Sequence, residues 1–355
     1  MAELIMNQLL EKMIQAEGSD IFLAAGAPPR MNVEGRLQDL APDPLSPEET
    51  ARMIRQLLTD EQWQAFTKTR ELNSAYSFSN VARFRVNVYF QRGTVAAVIR
   101  QIRVKIPTSE QLNLPPLLEN LILTPRGLIL VTGATGTGKS TTMAAMIDYR
   151  ASNVEGHIVT VEDPIEYVFQ HQKSLVTQRE VGMDTLSFKE ALKNTLRQAP
   201  NVIYIGELRD SETVEFALHS AETGHLVLST LHSTNASQTI ERVLNFFSRE
   251  YQQQVLMQIS YNLKAIISQR LIPSESGKRM PVLEILINTA FVQELIHKGE
   301  IGQLKKVMES GRQEGMQTFD LHLKELVEKG VVSEEKALIF ADSPSDLRLK
   351  LRGFV

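Results

Sequence analysis

Three observations predict an α/β protein in which a parallel sheet with both faces covered follows a smaller α+β domain. From Gly127 onward, short apolar runs at 128–131, 158–161, 202–205 and 226–230 alternate with helical stretches, the rhythm of βαβ units. The first run, Leu128-Ile-Leu-Val131, passes straight into the glycine-punctuated segment Thr132-Gly-Ala-Thr-Gly-Thr-Gly-Lys-Ser-Thr141. Ahead of it, residues 75–102 read as strands in which Phe84, Val86, Val88 and Phe90 alternate with Arg83, Arg85, Asn87 and Tyr89, a half-buried sheet with one polar face.

The elements follow in order. Apolar residues Leu4, Ile5, Leu9, Met13 and Ile14 recur near helical spacing up to a stop at Gly18. Residues 20–24 form a short strand, Gly26-Ala-Pro-Pro29 a turn, and 31–37 a resumed strand. Ser46-Pro-Glu-Glu49 carries the N-cap, N1 proline and N3 glutamate of a capping box, opening a helix to about Leu58, and 59–62 repeat the signal. Pro107, Pro115 and Pro116 hold 104–116 extended as a linker. That divides the chain into an α+β domain over 1–103, the linker, a core over 117–288 and a helical region over 289–355. Within the core, 251–268 reads as a helix and 281–287 as a further strand; the last region reads as helices broken at Gly299, Gly311, Gly330 and Ser343-Pro344.

The bulk numbers narrow the function classes. At 355 residues the chain exceeds one ordinary core. A hydrophobic content of 43% with 23% charged residues is that of a folded soluble protein. No apolar run reaches the ~18 residues that cross a bilayer, and the amino terminus has no basic stretch leading an apolar core, so a cytosolic location is expected. Zero cysteines exclude disulfides and thiolate zinc sites. A formal charge of −4 argues against broad nucleic-acid binding.

The glycine segment carries the chemistry. Gly133-x4-Gly138-Lys139-Ser140 fits a phosphate loop, in which backbone N–H groups wrap phosphates, the lysine reaches the β/γ oxygens and the serine hydroxyl takes Mg²⁺. A helix starting near Lys139 aims its positive end at the same anion. The loop therefore predicts nucleoside triphosphate binding by Gly133, Ala134, Thr135, Gly136, Thr137, Gly138, Lys139, Ser140 and Thr141. Hydrolysis also needs groups at the same rim of the sheet. Val161-Glu162-Asp163-Pro-Ile-Glu166 ends one strand with three carboxylates, and Ile205-Gly-Glu207-Leu-Arg-Asp210 ends the next. Glu207 either caps a helix or acts as the strand-end carboxylate that polarises water or holds metal-bound water. His225 and His232 bracket the strand between them, which suits either hydrogen-bonded core residues or a γ-phosphate sensor.

In order and spacing, the loop, Val161-Glu-Asp-Pro-Ile-Glu-Tyr167, Gly206-Glu-Leu-Arg-Asp210 and Thr223-Gly-His225 to Thr230-Leu-His232 resemble the Walker A, Asp box, atypical Walker B and His box of the secretion ATPase superfamily. Phe84-Arg-Val-Asn87 and Gly315-Met-Gln-Thr-Phe-Asp320 extend the resemblance to the PilT/PilU retraction ATPases of type IV pili. Residues 291–298 depart from the corresponding PilT motif, and Ala341-Asp-Ser-Pro-Ser-Asp-Leu-Arg348 is more similar to PilU.

The resemblance implies a RecA-like core, a PAS-like first domain and a cytoplasmic hexamer that hydrolyses ATP with Mg²⁺ to power pilus retraction and twitching motility. The ring would sit at the cytoplasmic face of the inner membrane beside a platform protein and a paralogous retraction ATPase. It implies Glu162 and Glu207 as catalytic acids, with Ser140 and Glu207 toward the metal, and His225 and His232 coupled to the γ-phosphate. Arg209 joins this set. Arg85 and Arg100 complete a neighbour's site; their other reading is solvation on the polar face of their strands.

Arg197-Gln-Ala-Pro-Asn201 departs from the family, which usually carries two acids there, so turnover is expected to suffer; a weakly or non-catalytic nucleotide-binding partner that modulates a paralogous retraction ATPase is the alternative. A small-molecule phosphotransferase lacks an arginine-bearing lid here, and a RecA-like DNA motor lacks a basic loop. The resemblance is to retraction ATPases, so no amino-terminal docking extension of the assembly type is expected before the shared core.

Overall fold

In a computed structural model, residues 6–33, 35–78, 82–102 and 104–353 are described. Chain contacts divide it into two units, Met1–Lys105 with Ile165–Val168, and Ile106–Pro164 with Phe169–Val355.

The first unit contains α1 (Met6–Gln15), β1 (Asp20–Ala24), β2 (Arg30–Val33), β3 (Arg36–Asp39), α2 (Pro47–Arg55), α3 (Asp60–Thr69), β4 (Glu71–Phe78), β5 (Ala82–Gln91) and β6 (Thr94–Ile102). Its antiparallel sheet has the order β3-β2-β1-β6-β5-β4. The predicted alternation holds on β5: Phe84, Val86 and Val88 are fully buried with Leu9, Met13, Ile54 and Phe66 from the helices, while Arg83, Arg85 and Asn87 turn to the other face. Both capping boxes are present, Ser46 with Glu49 and Thr59 with Gln62. The single strand expected over 31–37 is instead the hairpin β2–β3, turned at Gly35 with a φ of 83°. Leu4, Ile5 and Val81 lie outside the described residues.

The second unit runs α4 (Leu117–Ile122), β7 (Gly127–Thr132), α5 (Lys139–Asn153), β8 (Gly156–Glu162), β9 (Ser174–Glu180), α6 (Phe188–Thr195), β10 (Val202–Ile205), α7 (Ser211–Glu222), β11 (Leu226–Leu231), α8 (Ala236–Leu244), α9 (Arg249–Asn262), β12 (Leu263–Pro273), β13 (Arg279–Ile287), α10 (Ala290–Lys298), α11 (Leu304–Ser310), α12 (Phe319–Glu328), α13 (Glu334–Phe340) and α14 (Pro344–Leu351). The sheet order is β13-β12-β7-β11-β10-β8-β9, parallel except for β13. Leu128, Leu130, Ile203, Ile205 and Val227 join one core with α6 to α9. The alternate residues Ile129, Val131, Val202 and Leu228 are equally buried on the other side, as both-face coverage of a parallel sheet requires.

Three stretches of this unit differ from expectation. Residues 109–113, expected to be extended, form turns in which the Leu112 N–H donates to the Thr108 carbonyl at 3.1 Å and the Leu114 N–H to the Ser109 carbonyl at 2.9 Å, with Ser109 and Leu114 buried. The helix over 251–268 ends at Asn262, and the next residues form β12, hydrogen-bonded between β7 and β13. A slot beside the central strand pairs the backbone of Ala265-Ile-Ile-Ser268, and branched residues suit it better than another helical turn. β9 has no counterpart in the sequence reading: it pairs parallel to β8 at the sheet edge, with Leu175 exposed, and lacks the apolar run of the inner strands.

The last helices pack on β12 and β13 through Ile272, Val282, Phe319, Leu323 and Leu347. Beside them a polar pocket of about 340 Å³ is lined by Thr234, Asn235, Arg270, Glu284, Lys305 and Asp342 among others. Glu284 is 2% exposed and accepts from the Ala236 N–H at 2.8 Å. Burial pushes its carboxyl up to about 7, with Asp342 adding to the rise and Arg270 and Lys305 opposing it. An unfolded glutamate titrates at about 4.3, so the folded chain holds the extra proton between those values and loses stability as pH rises through that window. Glu284→Gln keeps an acceptor for Ala236 and removes the charge. It should raise the melting temperature relative to the parent at about pH 8 by several degrees, on the order of 3 kcal/mol, and by much less at about pH 5. Equal differences at both pH values in thermal unfolding would contradict this.

Candidate nucleotide site

Parallel pairing sets the site. Leu226 is opposite Gly127 and Leu231 opposite Thr132, so β7 and β11 end together, and Ile205 of β10 pairs with both Ser229 and Val161. The segments after β7, β8, β10 and β11 therefore emerge at one rim.

After Thr132 the chain turns through Gly133, Gly136 and Gly138, with φ values of 150°, 80° and 88°, before α5 begins at Lys139. Ala134, Thr135 and Gly136 are exposed, Thr137 and Gly138 half-buried, and Ser140 and Thr141 open the helix, Ser140 exposed. Lys139 is 8% exposed. Its ammonium donates to the carbonyls of Gly133 at 2.8 Å and Ala134 at 2.9 Å and lies 3.4 Å from His232 Nδ1. Burial lowers its pKa from the ordinary lysine value, and the Glu207 carboxylate partly offsets that.

From Lys139 a polar chain runs along the rim. His232 Nε2 is 3.2 Å from Glu207 Oε1, Arg209 Nε donates to Glu207 Oε2 at 2.8 Å, and Arg209 Nη1 donates to Asp163 Oδ2 at 2.9 Å. The bond to Glu207 is the largest cause that raises the Arg209 pKa. With Arg209 and Asp163 half exposed, these pairs add little stability; they fix where the Glu207 carboxylate points. The backbone beneath it is pinned too, since Thr230 Oγ1 donates to the Gly206 carbonyl at 2.6 Å and Leu208 N–H to the Thr230 carbonyl at 3.1 Å.

Glu162, 5% exposed, ends β8 at the same rim and accepts from Thr160 at 2.7 Å and Gln178 at 3.2 Å. Other expected residues do not converge. His225 precedes β11, bonded to the Ser220 carbonyl at 3.1 Å. Within this chain it lies at the opposite rim from His232, a strand length of about 20 Å away, so a direct phosphate contact by His225 from the same chain is corrected by the topology. Asn201 is at that far rim as well: its Oδ1 accepts from the His157 N–H at 2.8 Å. Asn201 therefore lies away from this chain's own phosphate loop. In the first unit, Arg85 and Arg100 face each other across β5 and β6, and Asp20 on β1 faces Arg100. Asp20 accepts from Arg100 Nε at 2.7 Å; Arg85 Nη2 is 4.0 Å from Glu166.

Sequence reading missed the groups that hold the loop from β12. Buried Gln269 bonds to both Thr137 and Thr142, and Ser268, Thr132, Thr239 and Ser233 form a buried run of hydroxyls with separations of 3.1, 3.4 and 2.7 Å. Polar residues inside the apolar stretch 263–272 were the signal, obscured by the helical reading of that stretch.

Comparison with known proteins gives consistent matches. The Type II/IV secretion system protein family model matches residues 1–339. The type IV pilus ATPase PilU of Pseudomonas aeruginosa is 50% identical over 347 residues, 98% of this chain and 91% of that protein. The type IV pilus retraction ATPase PilT of the same organism is 42% identical over 96% of this chain and 99% of its own length. The crystal structure of the pilus retraction motor PilT with bound ADP superposes with a TM-score of 0.91 at 41% identity, covering 98% of this chain and 99% of that one.

A Cβ on Gly133 would lie 2.5 Å from the Gln269 carbonyl, whereas one on Gly136 meets nothing within 4 Å among the described residues. Gly136→Ala should therefore cost only the left-handed backbone, about 1–2 kcal/mol. Gly133→Ala should cost roughly 1–3 kcal/mol more through the clash. Chemical denaturation compares them, and equal losses would refute the packing described.

Proposed function

The chain belongs to the type II/IV secretion system protein family, and from that premise we propose that it is a PilU-like ATPase that powers or assists type IV pilus retraction and twitching motility. Its similarity to PilU exceeds that to PilT of the same organism, 50% against 42%. The observation that carries the chemistry is the unbroken chain Lys139–His232–Glu207–Arg209–Asp163 beside the glycine loop.

In this reading the backbone N–H groups of 133–141 and the Lys139 ammonium hold the phosphates of ATP, with the start of α5 adding its dipole. The loop has the right parts, left-handed glycines and a buried ammonium at one helix start. The residues also suit Mg²⁺: Ser140 is exposed at the start of α5 and the Glu207 carboxylate stands at the same rim, and a P-loop magnesium uses one or two protein groups together with phosphate oxygens and water. Ser140 and, through water, Glu207 would be those groups. Bound Mg²⁺ supplies charge neutralisation to the phosphates. Glu207 orients the attacking water, His232 links that carboxylate to the lysine beneath the γ-phosphate, and Arg209 fixes the carboxylate's other oxygen. Glu162 is the second acid of the same rim; the place of His225 favours a role toward a neighbour over one in its own site.

Arg85 and Arg100 then serve a neighbouring subunit of a homohexamer, where an arginine on developing γ-phosphate charge accelerates transfer by about 10³–10⁵. Among the described residues no helix is long and apolar enough to cross a membrane, in keeping with a peripheral place at the cytoplasmic face of the inner membrane, beside a platform protein and a paralogous retraction ATPase, and without nucleic acid.

Lys139→Ala should reduce ATP turnover below about 1% of the parent while the far-UV spectrum is unchanged; turnover at the parental rate would remove this function. Mixed Arg100→Ala and Glu207→Gln chains, each inactive alone, should recover part of the activity in joint rings. No recovery at any mixing ratio would exclude shared sites.

A further inference from the structure

Gln269 lies on β12 one residue beyond Ser268, the partner in register of Thr132 at the end of β7. Its side chain is thereby set against the loop that leaves β7. It is 3% exposed, and both ends of its amide are used: Nε2 donates to the Thr137 carbonyl at 2.8 Å, and Oε1 accepts from the Thr142 hydroxyl at 2.7 Å. The contact is close enough that a Cβ on Gly138 would lie 2.9 Å from Nε2.

A satisfied buried glutamine is ordinary in a core; the groups this one holds are not. The Thr137 carbonyl and the Gly138 N–H belong to one planar trans peptide and point in opposite directions. A bond that draws the carbonyl toward β12 turns the Gly138 N–H away from β12. Gly138, at a φ of 88°, has no Cβ to bias that peptide, so the orientation depends on an outside partner. A flipped peptide would set a carbonyl where an anion needs a donor.

We propose that Gln269 is a positioning residue for the phosphate loop, aiming the Gly138 N–H at bound phosphate while Thr142 ties the same amide to the first turn of α5. This rests on the reading that the 133–141 loop holds nucleotide phosphate.

The test is the ADP affinity of the full chain with Mg²⁺, measured for the parent, Gln269→Glu, Gln269→Leu and Lys139→Ala at about pH 8 and about pH 5.5, values that bracket a buried carboxyl. At the higher pH the carboxylate introduced by Gln269→Glu can accept from Thr142 but has no proton for the Thr137 carbonyl. Affinity relative to the parent should fall on the order of tenfold or more. At the lower pH the protonated carboxyl donates to that carbonyl, and most of the loss should be recovered, whereas Gln269→Leu should stay weak at both. If the leucine variant fails to fold, the pH-dependent ratio for Gln269→Glu still decides. Parental affinity in Gln269→Glu at both pH values, or an equal loss at both, overturns the proposal while loss in Lys139→Ala leaves the underlying reading intact. Parental affinity in Lys139→Ala overturns that reading and the proposal with it.

Discussion

The Lys139 ammonium is the group around which the rest of the second unit is arranged. Taking such a charge out of water costs several kcal/mol unless acceptors replace the lost solvent. Two loop carbonyls, a histidine nitrogen and the nearby Glu207 charge do so. Each demands something of the fold. Carbonyls of Gly133 and Ala134 can converge on one nitrogen only if the loop curls through backbone angles open to glycine. Histidine can approach only if β11 ends level with β7.

The same constraint explains how residues far apart in sequence form one site. Segments at 133–139, 162–163, 207–209 and 232 meet because parallel strands in register deliver their following residues to one rim. β12 and its hydroxyl and amide side chains brace the loop from the side. The antiparallel β13 closes the sheet and carries Glu284 into the polar pocket under the last helices. The binding rim and this pocket are served by neighbouring residues of one strand, Gln269 on the loop and Arg270 on Phe319 and Asp342.

Much of this was legible from residue order. Glycine spacing before Lys139, both capping boxes, the alternation on β5 and the strands β7, β8, β10 and β11 follow from local chemistry, which the chain satisfies within a few residues. Where a longer-range partner decides, local reading failed. Residues 263–268 can pass for a helix until β7 offers hydrogen bonds. Gln269 looks like an out-of-place polar residue until the loop it holds is in view. His225 and His232 look equivalent because each borders a strand, yet direction along that strand separates them by its whole length. Asn201 reads as a lost acid, and its side-chain oxygen accepts from the His157 N–H just ahead of β10.

On this reading the buried ammonium of Lys139 is the phosphate anchor, and Glu207 stands across the same cleft. An experimental structure of the chain with Mg²⁺ and a non-hydrolysable ATP analogue tests it most directly. The expected result is β- and γ-phosphate oxygens within hydrogen-bonding distance, roughly 2.7–3.2 Å, of Lys139 Nζ, with the Glu207 carboxylate facing the γ-phosphate. Nucleotide bound away from the 133–141 loop, or phosphates in the loop with Lys139 still bonded only to the carbonyls of Gly133 and Ala134, would contradict it.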